Sequence, residues 1–282
     1  MPFFFLCIIP VGGLGGEKEI EYMPNNEMQW SSAHPGEIIF LIDQSGSMTL
    51  NYTNGYTRSE FACKAINNLI NDIIERCYNG TVVRDRCHVA VIGYNNKIEC
   101  LLSGYLSEIE QKDVEEYDDE TPMWIKPIYD DSCTNMKAAF EMAKDIIDKW
   151  VETCPDNPAP VIINISDGNP YFDGLDEAIC MEQTKEIVNK IKAIDTKDGK
   201  VQIFNIMIGN GKKVIKFPIS DDVCDNDESK FLFDISTQIP ESYRNAANAK
   251  YGFTCEEGAK GVVYQANDKD LVAFIQFGST MV

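Results

Sequence analysis

The sequence predicts an α/β three-layer sandwich, in which a mostly parallel central sheet with one antiparallel edge strand is covered by helices on both faces. Three observations carry this. First, several apolar runs have strand length and no alternation: "IIFLI" at 38–42, "VIINIS" at 161–166 and "VQIFNIMIG" at 201–209. Continuous apolar strands belong to sheets buried on both sides. Second, stretches with helical spacing of apolar residues lie between them. Third, strand and helix alternate along the chain, which favours parallel strands joined by helical crossovers. No Gly/Ser-rich linker or internal repeat divides the pattern, so residues 35–282 read as one domain preceded by a 1–34 tail.

The tail begins "MPFFFLCIIPVGGLGG". Its apolar stretch from Phe3 to Ile9 has no basic flank and is too short to span a bilayer, so it is expected to pack on the domain. "PGE" then leads into the first strand. In "TRSEFACKAINNLINDIIERC", Thr57 and Glu60 have capping-box spacing. Ala62, Ile66, Leu69, Ile70, Ile73 and Cys77 follow on one helical face. "CHVAVIGYNN" from Cys87 predicts a strand, and "KIECLL" from Lys97 predicts its hairpin partner, the antiparallel edge. The acidic stretch 107–120 reads as solvated surface with a short helix. A helix starts at Thr134 or Asn135 and buries Ala139, Met142, Ala143, Ile146, Ile147 and Trp150; the prolines of "CPDNPAP" end it. Another helix is predicted over 175–194. Further on, "FLFDI" and "GVVYQ" read as short strands, while "PESYRNAANAKYG" and "DKDLVAFIQFG" read as helices.

The charge balance narrows the function. With 25 basic and 45 acidic side chains, the net charge is −20. Such a surface repels nucleic acid and anionic membranes and attracts divalent cations. Ten cysteines form no CxxC pair, and the two histidines, His34 and His88, sit in no Cys/His cluster, which leaves a structural zinc site unsupported. Cys63, Cys77 and Cys87 fall within apolar stripes, as reduced thiols in a cytoplasmic protein do. His88 is expected to open its strand with a structural hydrogen bond. "GNGKK" from Gly209 lacks the spacing of a phosphate loop, and "GLGG" at Gly13 lacks the helix a dinucleotide loop needs.

Three loops follow strands or open helices where ligands gather in open α/β sheets. They are "DQSGS" at 43–47, "SCTNM" at 132–136 and "SDG" at 166–168. Alone, each is an ordinary turn or helix cap. Together they offer Asp43, Ser45, Ser47, Thr134 and Asp167. Two carboxylates and three hydroxyls make a hard oxygen set suited to Mg²⁺ or Mn²⁺.

In these residues the sequence resembles the von Willebrand factor type A domain family with a metal-ion-dependent adhesion site, over about residues 35–278. "IIFLIDQSGSM", "VAVIGYNN" and "VVYQANDKDLVAFIQF" resemble its stand-alone bacterial, tellurium-resistance-associated members. The resemblance implies a Rossmann-like fold and a divalent-metal-dependent protein-binding module in a signalling or stress-response assembly. It implies that Ser45, Ser47 and Thr134 ligate directly or through water, that Asp43 and Asp167 act mostly through water, and that a partner's Asp or Glu completes the shell. Ser132 and Cys133 stand where the family's threonine loop often has glycines. Asp130 and Asp131 would bias the rim against acidic partners. Two other readings remain: a metal-dependent phosphoester hydrolase, with Asp43 and Asp167 activating water, and a metal-independent scaffold. Catalysis is disfavoured because no motif places a histidine beside Ser45 or Ser47, and because Arg58 and Lys137 are expected on solvated helix turns.

Overall fold

The structure is a computed structural model that describes residues 25–128, 133–209 and 212–282. Most of the N-terminal tail, and Asp130, Asp131 and Ser132 of the threonine loop, lie outside the described residues.

Seven strands form the central sheet: β1 (Gly36–Asp43), β2 (Cys87–Tyr94), β3 (Ile98–Tyr105), β4 (Val161–Ser166), β5 (Gln202–Ile208), β6 (Ile215–Lys216) and β7 (Val262–Ala266). Their order is β6-β7-β5-β4-β1-β2-β3. The five inner strands are parallel, and β3 and β6 are antiparallel to their neighbours. The sheet therefore has an antiparallel strand at both edges rather than one. The second, β6, is only two residues long and carries no readable alternation.

Helices cover both faces: α1 (Arg58–Cys77), α2 (Leu106–Glu110), α3 (Met136–Thr153), α4 (Glu177–Lys192), α5 (Asp227–Ile235), α6 (Glu241–Lys250) and α7 (Asp268–Gly278). Side chains alternate across the pleat, so each strand feeds two cores. Ile38, Phe40 and Ile42 of β1 pack with α1 and α7, while Ile39 and Leu41 pack with α3, α4 and α5. The 58–77 stripe is buried as its spacing predicts, and Thr57 and Glu60 form both bonds of the capping box.

"FLFDI" is helical and not a strand. Its short apolar run suggests a strand, but Asn226 caps the N-terminus of α5, accepting from Ser229 N–H at 2.8 Å. Phe231, Leu232 and Ile235 then fall on one helical face against the sheet, and these are the residues buried. The end of the tail that is described packs on the strand amino ends. Asn26 N–H donates to Asp198 O at 2.6 Å, and Trp30 is buried over Gly36, where a Cβ would stand 2.0 Å from the indole.

A polar chain crosses the apolar core. Tyr94 O–H donates to Asn164 Oδ1 at 2.9 Å, Asn164 Nδ2 donates to Asn205 Oδ1 at 3.0 Å, and Asn205 Nδ2 donates to Ser236 Oγ at 2.8 Å. Ser236 O–H donates in turn to Leu232 O at 2.7 Å. All four side chains are fully buried. Every donor in the run points the same way, an arrangement in which hydrogen bonds reinforce one another.

Candidate metal centre

From β1 the chain runs outward through β2 and β3, then returns to place β4 on the opposite side of β1. The strand order thus reverses between β1 and β4. Loops leaving the carboxyl ends of such neighbours part and leave a crevice, the usual ligand position in this class of sheet. Asp43 ends β1, and Asp167 immediately follows β4.

The 43–49 loop is held from below. Met48 is fully buried and anchors the short 3-10 turn Gly46–Thr49, where Met48 N–H donates to Ser45 O at 3.0 Å. Gln44 fastens the loop sideways: its N–H donates to Tyr94 O at 2.8 Å, and its Oε1 accepts from Ile128 N–H at 2.8 Å. The loop is therefore fixed by core packing and backbone bonds, and its serines project from a rigid base.

Asp43 is completely buried. One of its carboxylate oxygens accepts from Ser45 N–H at 2.8 Å, and the other from Ser166 O–H at 2.7 Å. Both donors are neutral, and the nearby charge of Asp167 has the same sign. Burial pushes the Asp43 carboxyl up, and Asp167 pushes it further; the Ser166 and Ser45 bonds oppose this, and the result is about 6. Ser47 O–H donates to Asp167 Oδ1 at 2.7 Å, and the Ser45 and Ser47 hydroxyl oxygens are 3.2 Å apart. Ser47 is exposed, so the cluster grades from a buried acid to an open mouth.

Thr134 joins through the backbone. Its N–H donates to Tyr171 O at 2.7 Å, and Tyr171 N–H returns to Thr134 O at 3.0 Å, tying the threonine loop to the loop after β4. The next residue, Asn135, caps α3 by accepting from Ala138 N–H at 3.1 Å. The structure therefore brings Asp43, Ser45, Ser47 and Asp167 into one bonded cluster and ties Thr134 to the loop that follows Asp167.

Two participants were not foreseen. Ser166 orients Asp43; as the last residue of an apolar strand it carried no signal beyond being polar. Arg58 was expected on a solvated turn, but its Nη1 forms an ion pair with Asp167 Oδ2. Lys137 does lie on a helix surface, 3.1 Å from Glu141 one turn on. Beyond the 167 loop a cleft of about 670 Å³ opens, lined by Asn169, Tyr171 and Met181 and by the carboxylates of Glu177, Asp227 and Glu228. Burial raises the Glu228 carboxyl, with Asp167 and Glu177 adding to it.

Among the described residues, no three His, Cys, Asp or Glu side chains come together so as to hold a metal ion. Any ion here would be held by two carboxylates and by hydroxyls. That donor set fits a hard divalent cation: two acids crowd together at the strand ends, one of them buried without a cationic partner, and hydroxyls converge on them.

The sheet order and these loops are similar to the von Willebrand factor type A domain: the profile described by that name matches residues 38–169, from β1 to just past Asp167 and under half of the chain. Solved structures show similarity at low identity. Proximal thread matrix protein 1 from the mussel byssus is 17% identical, with 89% of this chain and 45% of that one covered and a TM-score of 0.44. The conserved hypothetical protein BatB from Bacteroides thetaiotaomicron is 15% identical over 87% of this chain and 99% of that one, with a TM-score of 0.46. The manganese-loaded TRAP protein of Plasmodium vivax is 17% identical over 88% of this chain and 74% of that one, at 0.43. The chain thus spans under half the byssus protein. Comparison with curated protein sequences gives no match. No helix among the described residues is long and apolar enough to cross a membrane.

Proposed function

We propose that the chain is a non-catalytic protein-binding module whose ligand contact is a divalent cation, Mg²⁺ or Mn²⁺, at the carboxyl ends of β1 and β4. The observation that carries this reading is the pairing of Asp43 and Asp167 across the strand-order reversal, with Asp43 fully buried between neutral donors. Like-charged acids in a buried setting are costly, and a divalent cation offsets both charges. Ser45, Ser47 and Thr134 would hold the ion with their hydroxyls, and Asp43 and Asp167 would balance its charge. When bound, the ion supplies an electrophilic point to which a partner's Asp or Glu carboxylate can add.

Selectivity would come from the surroundings. The net charge is −20, and the adjoining cleft adds Glu177, Asp227 and Glu228. An acidic partner surface would be repelled before it arrived, so the recognised acid should sit among neutral or basic residues. Residues 35–282 are taken as the binding module. A place in a cytoplasmic signalling or stress-response assembly, as in the bacterial stand-alone members, is the setting we propose for it.

Calorimetric titration of Mg²⁺ and Mn²⁺ into EDTA-stripped protein tests the reading. Wild type should bind one ion, and the Asp43→Ala/Thr134→Ala double variant should bind none while keeping its circular dichroism spectrum. Peptides carrying a single Glu between neutral or basic residues should bind only the loaded form. A wild type that binds no ion, or peptide binding that survives EDTA, would overturn it.

A further inference from the structure

We infer that Arg58 is a tethered competitor of the cation: its guanidinium holds Asp167 in the metal-free protein and must leave that carboxylate for the ion to bind. The inference rests on the metal reading above and adds a regulating residue to it.

The geometry separates a fixed root from a movable tip. Arg58 is the first residue of α1. Its N–H donates to Leu50 O at 3.1 Å, and the capping box of Thr57 and Glu60 locks the backbone just before it. The side chain then crosses the mouth of the crevice. Nη1 pairs with Asp167 Oδ2 and lies 3.5 Å from Ser47 O, so the guanidinium borders two of the residues that would face the ion. The Asp167 side chain is 1% exposed and that of Arg58 is 23% exposed. The pair therefore sits at the boundary between the buried acid and solvent.

Two features mark the contact as a placeholder rather than a finished structural ion pair. Arg58 Nε is buried without a hydrogen-bond partner. A guanidinium selected to clamp a carboxylate normally presents its donors as a fork, and a buried donor left unpaired weakens the arrangement. The second feature is charge. Asp43 and Asp167 together carry two negative charges when ionised, and Arg58 returns only one. It leaves Asp43, the deeper acid, with neutral partners. A divalent cation answers both acids at once, but it cannot share Asp167 with a guanidinium without facing a like charge at close range. The two cations are thus alternatives. Arg58 keeps the stripped crevice from repelling itself apart, and in doing so it lowers the site's apparent affinity for metal.

The test uses the 282-residue chain with Arg58→Gln, Arg58→Lys and Asp167→Asn, titrated with Mn²⁺ after EDTA stripping, with thermal unfolding measured in EDTA and at saturating Mn²⁺. Arg58→Gln should bind Mn²⁺ more tightly than wild type, on the order of tenfold or more. Stripped Arg58→Gln should melt below stripped wild type, and the gap should close in Mn²⁺. Millimolar methylguanidinium should weaken Mn²⁺ binding to Arg58→Gln more than to wild type. Arg58→Lys retains the charge without the planar fork, and should fall between the two in affinity; it serves if Arg58→Gln fails to fold when stripped. Equal or weaker Mn²⁺ binding by the variants, with binding abolished in Asp167→Asn, would leave the metal site standing and overturn the role of Arg58. No binding by folded wild type and folded variants would overturn both.

Discussion

Strand β1 carries a buried carboxylate at each end, and the two are treated in opposite ways. Glu37, near its start, and Asp43, at its finish, are both fully buried. Glu37 faces a basic group built into the sheet: His88 Nδ1 on β2 stands 2.8 Å from Glu37 Oε2, an ion-pair distance although off the axis of a well-aligned hydrogen bond. The far side of the imidazole meets Ser103 Oγ at 3.3 Å, and the rings of Tyr105 and Trp150 pack against it. Asp43 instead has neutral donors and a second acid close by. At the amino end the fold itself sets an imidazole against the acid, although burial still raises the Glu37 carboxyl. The carboxyl end is left short of positive charge, and the cleft beyond the 167 loop opens there. Burial of an acid is thus no sign of a ligand site; burial beside another acid is the stronger signal.

The comparison can be broken in four places, from the largest expected effect to the smallest. His88→Ala removes the imidazole that faces buried Glu37 and packs against Tyr105 and Trp150, and should cost about 3 kcal/mol in urea unfolding, with no change in Mn²⁺ affinity. A cost below about 1 kcal/mol would mean that the amino end does not depend on that imidazole.

At the other end, Asp43 gives a pH signature. Its folded carboxyl lies at about 6, above the usual 3.8, so between these values the folded state binds more protons than the unfolded one. Stability from this group is fully present below pH 3.8 and lost as pH rises through 6. Asp43→Asn lacks the term. In EDTA, its stability relative to wild type should therefore rise by up to about 3 kcal/mol between pH 4 and 6, followed by chemical denaturation at each pH. A flat difference would place Asp43 in a less hostile setting than its neighbours suggest.

A smaller effect is expected from Thr57→Ala, which removes the hydroxyl that accepts from Glu60 N–H and should cost about 1 kcal/mol by thermal melting. Because that cap fixes the root of Arg58, the variant should also move Mn²⁺ affinity. Lys137→Ala is the control. Its pair with Glu141 is partly exposed, and its removal should change stability by less than about 0.5 kcal/mol and leave metal binding alone.

Much of this arrangement was legible before any coordinates. Continuous apolar runs announced the parallel strands, and the 58–77 stripe and its cap announced α1, because both depend on short-range periodicity. The three loops were legible too, since hydroxyls and acids at strand ends are sparse enough to stand out. What stayed hidden was tertiary. Arg58 meets Asp167 across 109 positions, and nothing local distinguishes it from Lys137, which is a surface residue. Ser166 looked like the tail of a strand until its hydroxyl was seen on Asp43. "FLFDI" reads as a strand because a short apolar run outweighs a cap that lies just upstream.

The buried run from Tyr94 to Ser236 bears on how accurately the crevice is assembled. Asn164 and Asn205 are direct neighbours on β4 and β5, and Leu41 of β1 sits opposite Asn164. If β4 slid by one residue, its asparagine would turn to the other face, and the tyrosine hydroxyl and the second amide would be left in hydrocarbon, at about 1–3 kcal/mol for each orphaned group. An all-aliphatic interior would tolerate such slippage far better. The chain therefore works as a vernier: it aligns β4 with β5 and, across β1, with β2 to a single residue, and so sets Ser166 level with Asp43 and Asp167 one residue beyond it before any ion or partner is present.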